Sequence, residues 1–285
     1  MQAIDTALVM KVLEQPVEKD ATLWTARPET ASRLRGRMEL ILDWAKARGY
    51  RDGENPARWR GHLDKLLPAS GKVRKVEHHA ALPYAELPAF LTALRAQEGV
   101  SARALEFAIL TAARTGEVIG AGLNEISEGE KVWTVPGDRM KAGKEHRVPL
   151  SGRALAIVNG IDRPTGEGKE AQSADGAFVF PGGKPGKALS NMAFLMLLRR
   201  MGREDLTAHG FRSTFRTWAA ERTNFPREVI EAALAHTIGN KVEAAYQRGD
   251  LFEKRRRLME AWAQFCSSGA AAGQVIPMQA KCAAG

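Results

Sequence analysis

The period of the hydrophobic pattern changes along this chain, and that change most limits what it can fold into. Residues 132–135 (VWTV) and 146–150 (HRVPL) have the composition and spacing of strands, and the turn at residues 140–145 joins them. On both sides of this pair, apolar residues recur at the spacing of amphipathic helices. The sequence therefore predicts a mainly α-helical protein with a small antiparallel β-sheet.

Helices account for most of the predicted elements. A long helix is expected to begin with Pro28 and Glu29, which suit a first helical turn, and to stop at Gly49. Its predicted apolar face consists of Leu34, Met38, Ile41, Leu42 and Ala45. Other helices are predicted at residues 4–13, 84–98, 101–114 with Ser101 as N-cap, 190–201, 211–222, 226–235, 241–248 and 251–265, with one more short strand at residues 177–180.

The helical pattern is interrupted near residues 68–72 (PASGK), where Pro, Ser and Gly cluster. A basic, strand-like stretch follows at residues 72–76. A length of 285 residues suits about two domains. We therefore expect one helical domain over residues 1–75 and a second over residues 76–266. The Ala- and Gly-rich residues 267–285 are expected to form a frayed tail.

The charge balance predicts a polyanionic partner. Lys and Arg number 42 against 33 Asp and Glu, a net charge of +9. There is no apolar run of about 18 residues that could span a membrane, and no signal peptide is visible. The only cysteines, Cys266 and Cys282, cannot build a disulfide framework or a thiolate zinc site, which fits a reducing cytosol. Because the basic residues are spread over both domains, nucleic acid is favoured over a membrane surface.

The long N-terminal helix offers the first candidate contacts to nucleic acid. Arg33, Arg35 and Arg37 are predicted to lie opposite its apolar face. Such a run can be a phosphate-binding surface or simply a solvated face, and the sequence leaves both interpretations open.

Four short stretches carry the candidate chemistry. They contain Arg114 with Glu117, the basic turn with Lys141, His209 with Arg212 three residues later, and His236 with Tyr246 ten residues later. Each has a structural alternative: a helix-capping ion pair, a solvated turn, a helix-terminal histidine or a core tyrosine. Together they match the needs of phosphodiester cleavage without a metal ion, namely a nucleophile, arginines for the phosphoryl oxygens and a proton donor for the leaving oxygen.

At these stretches the sequence resembles the tyrosine recombinase (phage integrase) family, most of all the integrases of prophages and genomic islands. The resemblance is carried by ARTGEV, KAGKEHRVPLS, HGFRSTFRTWAAE and LAHTIGNKVEAAYQRGDLFEKRRRLMEAWAQF, and it extends over residues 1–266. It implies a helical core-type DNA-binding domain over residues 1–75 and a catalytic domain with the DNA breaking–rejoining fold over residues 76–266. Both are expected to wrap duplex DNA as a C-shaped clamp.

The resemblance also implies a role for each matching residue. Arg114 and Arg212 would clamp the scissile phosphate, and His236 would hydrogen-bond it. His209 would be a second proton-transfer or phosphate-binding group. Glu117 would support the site by orienting it.

The resemblance assigns the covalent step as well. Tyr246 would attack the phosphate and form a 3′-phosphotyrosine. Lys141 would protonate the leaving 5′ oxygen, with Lys144 as a rival for that role or as a contact to the DNA backbone. No metal, cofactor or ATP is implied.

The implied activity is site-specific recombination that integrates or excises a prophage or genomic island in the bacterial cytosol, at the nucleoid. The implied partners are double-stranded DNA with core-type attachment sites, further protomers in a dimer or tetramer on DNA, and accessory DNA-bending and excision factors. Two alternatives stay open: a type IB topoisomerase-like enzyme that relaxes DNA, and a DNA-binding regulator without catalysis.

Two further expectations concern the ends of the chain. Relatives of this type usually carry an additional N-terminal domain that binds arm-type DNA sites, and the chain is expected to lack it, by truncation or by nature. The last predicted helix spaces Leu258, Trp262 and Phe265 for docking into a neighbouring protomer, with packing on its own domain as the alternative.

Overall fold

The computed structural model describes residues 1–73, 81–161, 177–184, 186–236 and 249–268. The chain divides into two compact units, Met1–His78 and His79–Gly285. The helices among the described residues are α1 (Thr6–Leu13), α2 (Leu23–Ala26), α3 (Pro28–Ala47), α4 (Ser70–Val73), α5 (Leu87–Arg95), α6 (Val100–Thr111), α7 (Thr115–Ile119), α8 (Gly152–Asn159), α9 (Ala193–Arg200), α10 (Gly210–Arg222), α11 (Arg227–Ala233) and α12 (Phe252–Ser268). The strands are β1 (Pro16–Glu18), β2 (Ala21–Thr22), β3 (Ile126–Ser127), β4 (Val132–Val135) and β5 (His146–Pro149). The predicted mainly α-helical class with small antiparallel sheets is confirmed.

The first unit is built around α3, which begins at Pro28 as predicted. Leu42 and Ala45 are buried, and Trp24 from α2 stacks on Trp59 with ring centroids 5.6 Å apart. The prediction that Ile41 is buried was wrong, since it is 53% exposed. Ile41 lies at the edge of the apolar stripe, and no element in the described part of the first unit covers it.

Two local predictions for the first unit need correction. The β1–β2 hairpin and α2 lie in a region for which the sequence had indicated no element. The predicted strand at residues 72–76 is wrong in its described part, because Ser70–Val73 is helical. Val73 packs on the core of this unit, and such packing overrides the weak β preference of a short segment.

The second unit has one hydrophobic core to which α5, α6, α9, α10, α11 and α12 all contribute. Helix α6 starts one residue before the predicted N-cap Ser101, and Gly99 takes the capping position with φ of +93°. Helices α7 and α8 were not predicted. The core is therefore assembled largely from helices whose apolar stripes the sequence indicated, with short connectors that it did not.

Helix α12 packs on its own unit, which corrects the expectation of docking into a neighbour. Leu258 and Trp262 are fully buried, and the Trp262 indole Nε1–H donates to the backbone carbonyl of Ile109 at 2.8 Å. Phe265 stacks on Trp262 with centroids 5.8 Å apart. The helix continues through Ser267 and Ser268, two residues into the expected tail, and residues 269–285 lie outside the described part.

The predicted strand pair is confirmed. Strand β4 pairs antiparallel with β3 on one side and with β5 on the other, and Val135 lies opposite His146. The expected strand at residues 177–180 is reduced to a single bridge between Gly122 and Phe178. The expected helix at residues 241–248 lies outside the described residues. In the described part of the chain, no helix is long and apolar enough to cross a membrane.

Candidate active site

A cleft of about 710 Å³ in the second unit brings most of the predicted site residues together. Its lining combines α7, the turn between β4 and β5, the start of α10 and the end of α11. The polar lining residues are Arg114, Lys141, Lys144, Glu145, His146, His209, Glu231 and His236. Segments that are far apart in sequence thus place a dense group of cationic and imidazole side chains in one depression.

Glu117 binds Arg114 at the N-terminus of α7. Arg114 is the N-cap residue of this helix, and Glu117 sits three residues later at its third position. The carboxylate accepts the backbone N–H of Arg114 at 2.8 Å and its guanidinium Nη1 at 2.7 Å. The other guanidinium nitrogen, Nη2, donates to the carbonyl of Ala235 at 3.3 Å. Glu117, predicted to support the site, therefore contacts Arg114 directly at two points.

Arg212 lies behind the cleft lining and is 5% exposed. Its guanidinium donates to the carbonyls of Ala112 and, at 2.7 Å, Leu234, and its Nη2 lies 3.3 Å from His236 Nε2. The remaining Nε–H has no hydrogen-bond acceptor among the described residues. Burial, with a contribution from the nearby Arg114 cation, lowers the pKa of Arg212 to about 10, so the side chain stays charged at neutral pH.

Two alanines in left-handed backbone conformation supply carbonyls to these arginines. Ala112 ends α6 with φ of +50° and contacts Arg212, and Ala235 follows α11 with φ of +48° and contacts Arg114. A non-glycine residue in this region costs about 1–2 kcal/mol. The backbone at both helix ends is thus held in a strained conformation beside an arginine of the site, and such strain is common at functional sites.

The basic turn places Lys141 and Lys144 on the cleft, both exposed. Gly137 is needed for this turn, because a Cβ there would come within 2.9 Å of the carbonyl oxygen of Gly143. Gly143 itself has φ of +67°. The geometry brings both lysines to the site and does not choose between them as proton donor.

His209 is the N-cap residue of α10 and lines the cleft. His236 folds back on α11: its backbone N–H donates to the carbonyl of Glu231 at 3.0 Å, and its ring Nδ1 lies 2.6 Å from the Glu231 carboxylate. Glu231 was not singled out in the sequence. It precedes His236 by five residues, a spacing that the neighbour rules for helix faces do not flag.

His146 is the second cleft residue that sequence reasoning missed. It hydrogen-bonds the backbone of Ala233, and burial, assisted by the cations of Arg255 and Arg114, lowers its pKa to about 4. The ring is therefore neutral at physiological pH. A usable signal existed, because residues two apart in a strand share a face, and Val148 in the same strand is buried.

The remaining predicted residues lie elsewhere. Arg33, Arg35 and Arg37 belong to the first unit, on α3. Tyr246 lies outside the described residues.

The predicted site residues, both those that line the cleft and those outside it, fall within matches to known families. The family model for the phage integrase family matches residues 81–250. The family model for the phage integrase central domain matches residues 1–62. The chain belongs to the phage integrase family.

Integrases of bacteria and phages are similar to this family member over most of its length. It is 32% identical over 266 residues to the prophage integrase IntA of Escherichia coli K12, covering 92% of this chain and 59% of that protein. It is 28% identical over 270 residues to the integrase of enterobacteria phage P4, covering 88% of this chain and 57% of that protein. The chain thus spans less than two thirds of these relatives.

Solved integrase structures share the fold of this phage integrase family member. The Tn1549 transposon integrase in complex with circular intermediate DNA aligns with a TM-score of 0.59 at 14% identity, covering 91% of this chain and 86% of that one. A lambda integrase dimer bound to a COC′ core site aligns with a TM-score of 0.56 at 15% identity, covering 88% and 81%. At this level of identity the likeness establishes the fold alone.

Chemically, the cleft of this integrase family member is suited to bind a tetrahedral anion and to move protons. Arginines provide directional contacts to phosphoryl oxygens, lysines provide both charge and a proton, and the imidazoles can donate or accept. Two acids at the site, Glu117 and Glu231, each bind a cationic or imidazole partner.

Proposed function

We propose that this protein is a site-specific DNA recombinase that cuts and rejoins duplex DNA through a 3′-phosphotyrosine at Tyr246. The observation that carries the proposal is the convergence of Arg114, Lys141, His209 and His236 on one cleft, with Arg212 directly behind it. The family membership supports the same activity.

In the cleavage step, the phenolic oxygen of Tyr246 attacks phosphorus and the bond from phosphorus to the 5′ oxygen breaks. His209 takes the phenolic proton, and Lys141 gives a proton to the departing 5′ oxygen. Arg114 and Arg212 stabilise the extra negative charge of the five-coordinate transition state. Because the phosphodiester energy is kept in the protein–DNA bond, a 5′ hydroxyl can reverse the step on another strand and release the tyrosine.

The first unit would add affinity for the duplex. Phosphate contacts dominate protein–DNA affinity and come from dispersed cations, which fits a net charge of +9 shared by both units. Core-type attachment sites, assembly as a dimer or tetramer on DNA and action in the bacterial cytosol are part of the same proposal. The lambda integrase that shares the fold was solved as a dimer bound to a core site, which supports the assembly on DNA.

The covalent adduct provides the test. The full chain is mixed with a library of nicked random-sequence duplexes, quenched with detergent, and the protein-linked strands are recovered and sequenced. We expect wild type to yield adducts on a defined sequence, attached at the 3′ side of the cut, and Tyr246→Phe to yield none while still binding the selected DNA.

Tyr84→Phe is the matched control, because it removes a phenolic hydroxyl from the same unit outside the proposed chemistry. It should form adducts like wild type. Adducts that persist in Tyr246→Phe would overturn the assignment of the nucleophile. Adducts without sequence preference, together with relaxation of supercoiled plasmid, would favour a topoisomerase-like activity. DNA binding with no adduct in wild type would favour a regulator.

A further inference from the structure

Glu231 and His236 form a closely coupled pair at the end of α11. The Glu231 carboxylate is 16% exposed, and one of its oxygens lies 2.6 Å from His236 Nδ1. The other imidazole nitrogen, Nε2, lies 3.3 Å from the guanidinium of Arg212. The ring therefore bridges a half-buried acid on one side and a proposed phosphate-binding arginine on the other.

The second oxygen of Glu231 faces α10. It accepts from Arg216 Nε at 2.8 Å, and Arg227 lies 3.9 Å away at the solvent side. Burial by itself would raise the pKa of Glu231, but the hydrogen bonds from His236 and Arg216 outweigh it and hold that pKa below its usual value. Glu231 is therefore an anion at neutral pH and can only accept hydrogen bonds.

The negative charge of Glu231 determines where His236 carries its protons. An anionic carboxylate 2.6 Å away requires a hydrogen on Nδ1, so a neutral ring has Nε2 without a proton, facing Arg212. When the ring takes a second proton, the new N–H is on Nε2 and can be donated to a phosphate oxygen. The acid thus decides which imidazole nitrogen is available on the side of Arg212.

We propose that Glu231 is a positioning residue that fixes the tautomer and the orientation of His236, so that Nε2 faces Arg212 and the scissile phosphate. The proposal rests on the proposed recombinase function for its catalytic meaning. The geometric part, the tautomer, stands on the contacts alone. Outer partners of this kind typically change the performance of a histidine by about 10- to 100-fold where they have been removed at metal sites.

The first measurement is the tautomer itself, by long-range proton–nitrogen correlation on the full chain with labelled histidine at pH 8.5. His236 is identified among the six histidines by the signal that disappears in His236→Gln. We expect the Nδ1–H form in wild type and a shift toward the Nε2–H form in Glu231→Ala. An Nε2–H form in wild type, or an unchanged tautomer in Glu231→Ala, would overturn the proposal.

The second measurement separates positioning from a structural tie between α10 and α11. Arg216→Gln removes the partner that Glu231 has on α10 and leaves the contact with His236. On the DNA recovered above, we expect Glu231→Ala to lower the single-turnover rate of adduct formation about 10- to 100-fold with the DNA Kd within about twofold. Arg216→Gln should stay within about threefold of wild type in both quantities.

Glu231→Gln serves as the conservative variant, because its amide oxygen can still accept from Nδ1. It should keep the Nδ1–H form and cleave faster than Glu231→Ala. Equal losses in Glu231→Ala and Arg216→Gln would mean that the acid only ties the helices together, and would overturn the proposal. If wild type forms no adduct at all, the recombinase function fails, and the tautomer measurement still decides the contact between Glu231 and His236.

Discussion

Glu117 accepts two hydrogen bonds from Arg114, at 2.8 Å from the backbone N–H and at 2.7 Å from the guanidinium. The carboxylate is 6% exposed, so this pair is shielded from solvent on the side of the acid. The two contacts set both the start of α7 and the direction of the arginine. Charge-assisted, two-point contacts of this kind are strong and geometrically specific.

Glu117→Ala should therefore leave Arg114 present but wrongly aimed. We expect the rate of adduct formation to fall about 10²-fold, comparable to the loss of one transition-state hydrogen-bond donor. DNA affinity should change by less than about threefold, because the proposed phosphate contacts are spread over both units. Glu221→Gln, at an exposed site on α10, is the control and should behave as wild type. A large loss of DNA binding with an unchanged cleavage rate would contradict this interpretation.

Lys141 and Lys144 both face the cleft, and a modified substrate can distinguish them. A sulfur atom in place of the bridging 5′ oxygen leaves without needing a proton. If Lys141 is the general acid, Lys141→Ala should lose about 10²- to 10⁴-fold on normal DNA and regain most of that rate on the sulfur-containing strand. Lys144→Ala should lose less on both substrates. Rescue of Lys144→Ala instead of Lys141→Ala would transfer the role to Lys144.

Much of this site could be predicted from the sequence, for identifiable physical reasons. Short local sequence motifs identify Arg114, Arg212 and His236. The strand pair that carries the basic turn is indicated by the alternation of apolar and polar residues in its strands. Glu231 could not be found in this way, because its contact with His236 depends on how the chain turns at the end of α11. The alternation of β5 could have indicated His146, but not its contact with Ala233 on another element. The contact of His146 with Ala233 joins β5 to α11, and no local spacing encodes it.

The same distinction explains the errors on α3. The predicted solvent face contained Arg33, Arg35 and Arg37, but Arg35 is largely buried against the loop around Ala57. The period of the helix places Arg35 close to the apolar stripe and Ile41 at its edge. Whether such marginal positions are covered depends on the loop that returns over the helix, which amphipathic periodicity does not describe.

His146 predicts a pH dependence of stability. Its folded-state pKa is about 4 and its ordinary value is 6.5, so the unfolded chain binds a proton between these values that the folded chain does not. Stability from this group is fully present above pH 6.5 and is lost as the pH falls toward 4. At pH 5 the loss amounts to about 2 kcal/mol, from 1.5 pH units at about 1.4 kcal/mol each.

His146→Gln should remove this part of the pH dependence, because glutamine does not titrate and its amide can still donate to Ala233. The measurement is the free energy of unfolding by urea at pH 7.5 and pH 5.0 for both proteins. We expect the variant to lose about 2 kcal/mol less than wild type between the two pH values. The other titrating groups contribute to both proteins and cancel in the difference. Equal losses would contradict a His146 ring that stays neutral in the folded protein.

The arginines of α3 make the final prediction, because their surroundings separate DNA contacts from structural contacts. Among the described residues, Arg33 pairs with the exposed Glu29 alone, at 3.5 Å, and Arg37 is exposed and makes no ion pair. Arg35 is bound to Glu39 at 2.5 Å and to the Ala57 carbonyl at 3.1 Å. Its guanidinium also lies over the Trp59 ring, 5.7 Å from the centroid.

Arg33→Ala and Arg37→Ala should each weaken DNA binding and lower the slope of log K against log salt by about 1, with stability unchanged within about 0.5 kcal/mol. Arg35→Ala should instead cost about 1–3 kcal/mol of folding stability, because it removes three contacts and leaves the Ala57 carbonyl without its donor. DNA titrations at four salt concentrations and urea unfolding of the same variants check both parts. A salt slope that falls only in Arg35→Ala would reverse the assignment and make the half-buried arginine the contact to phosphate.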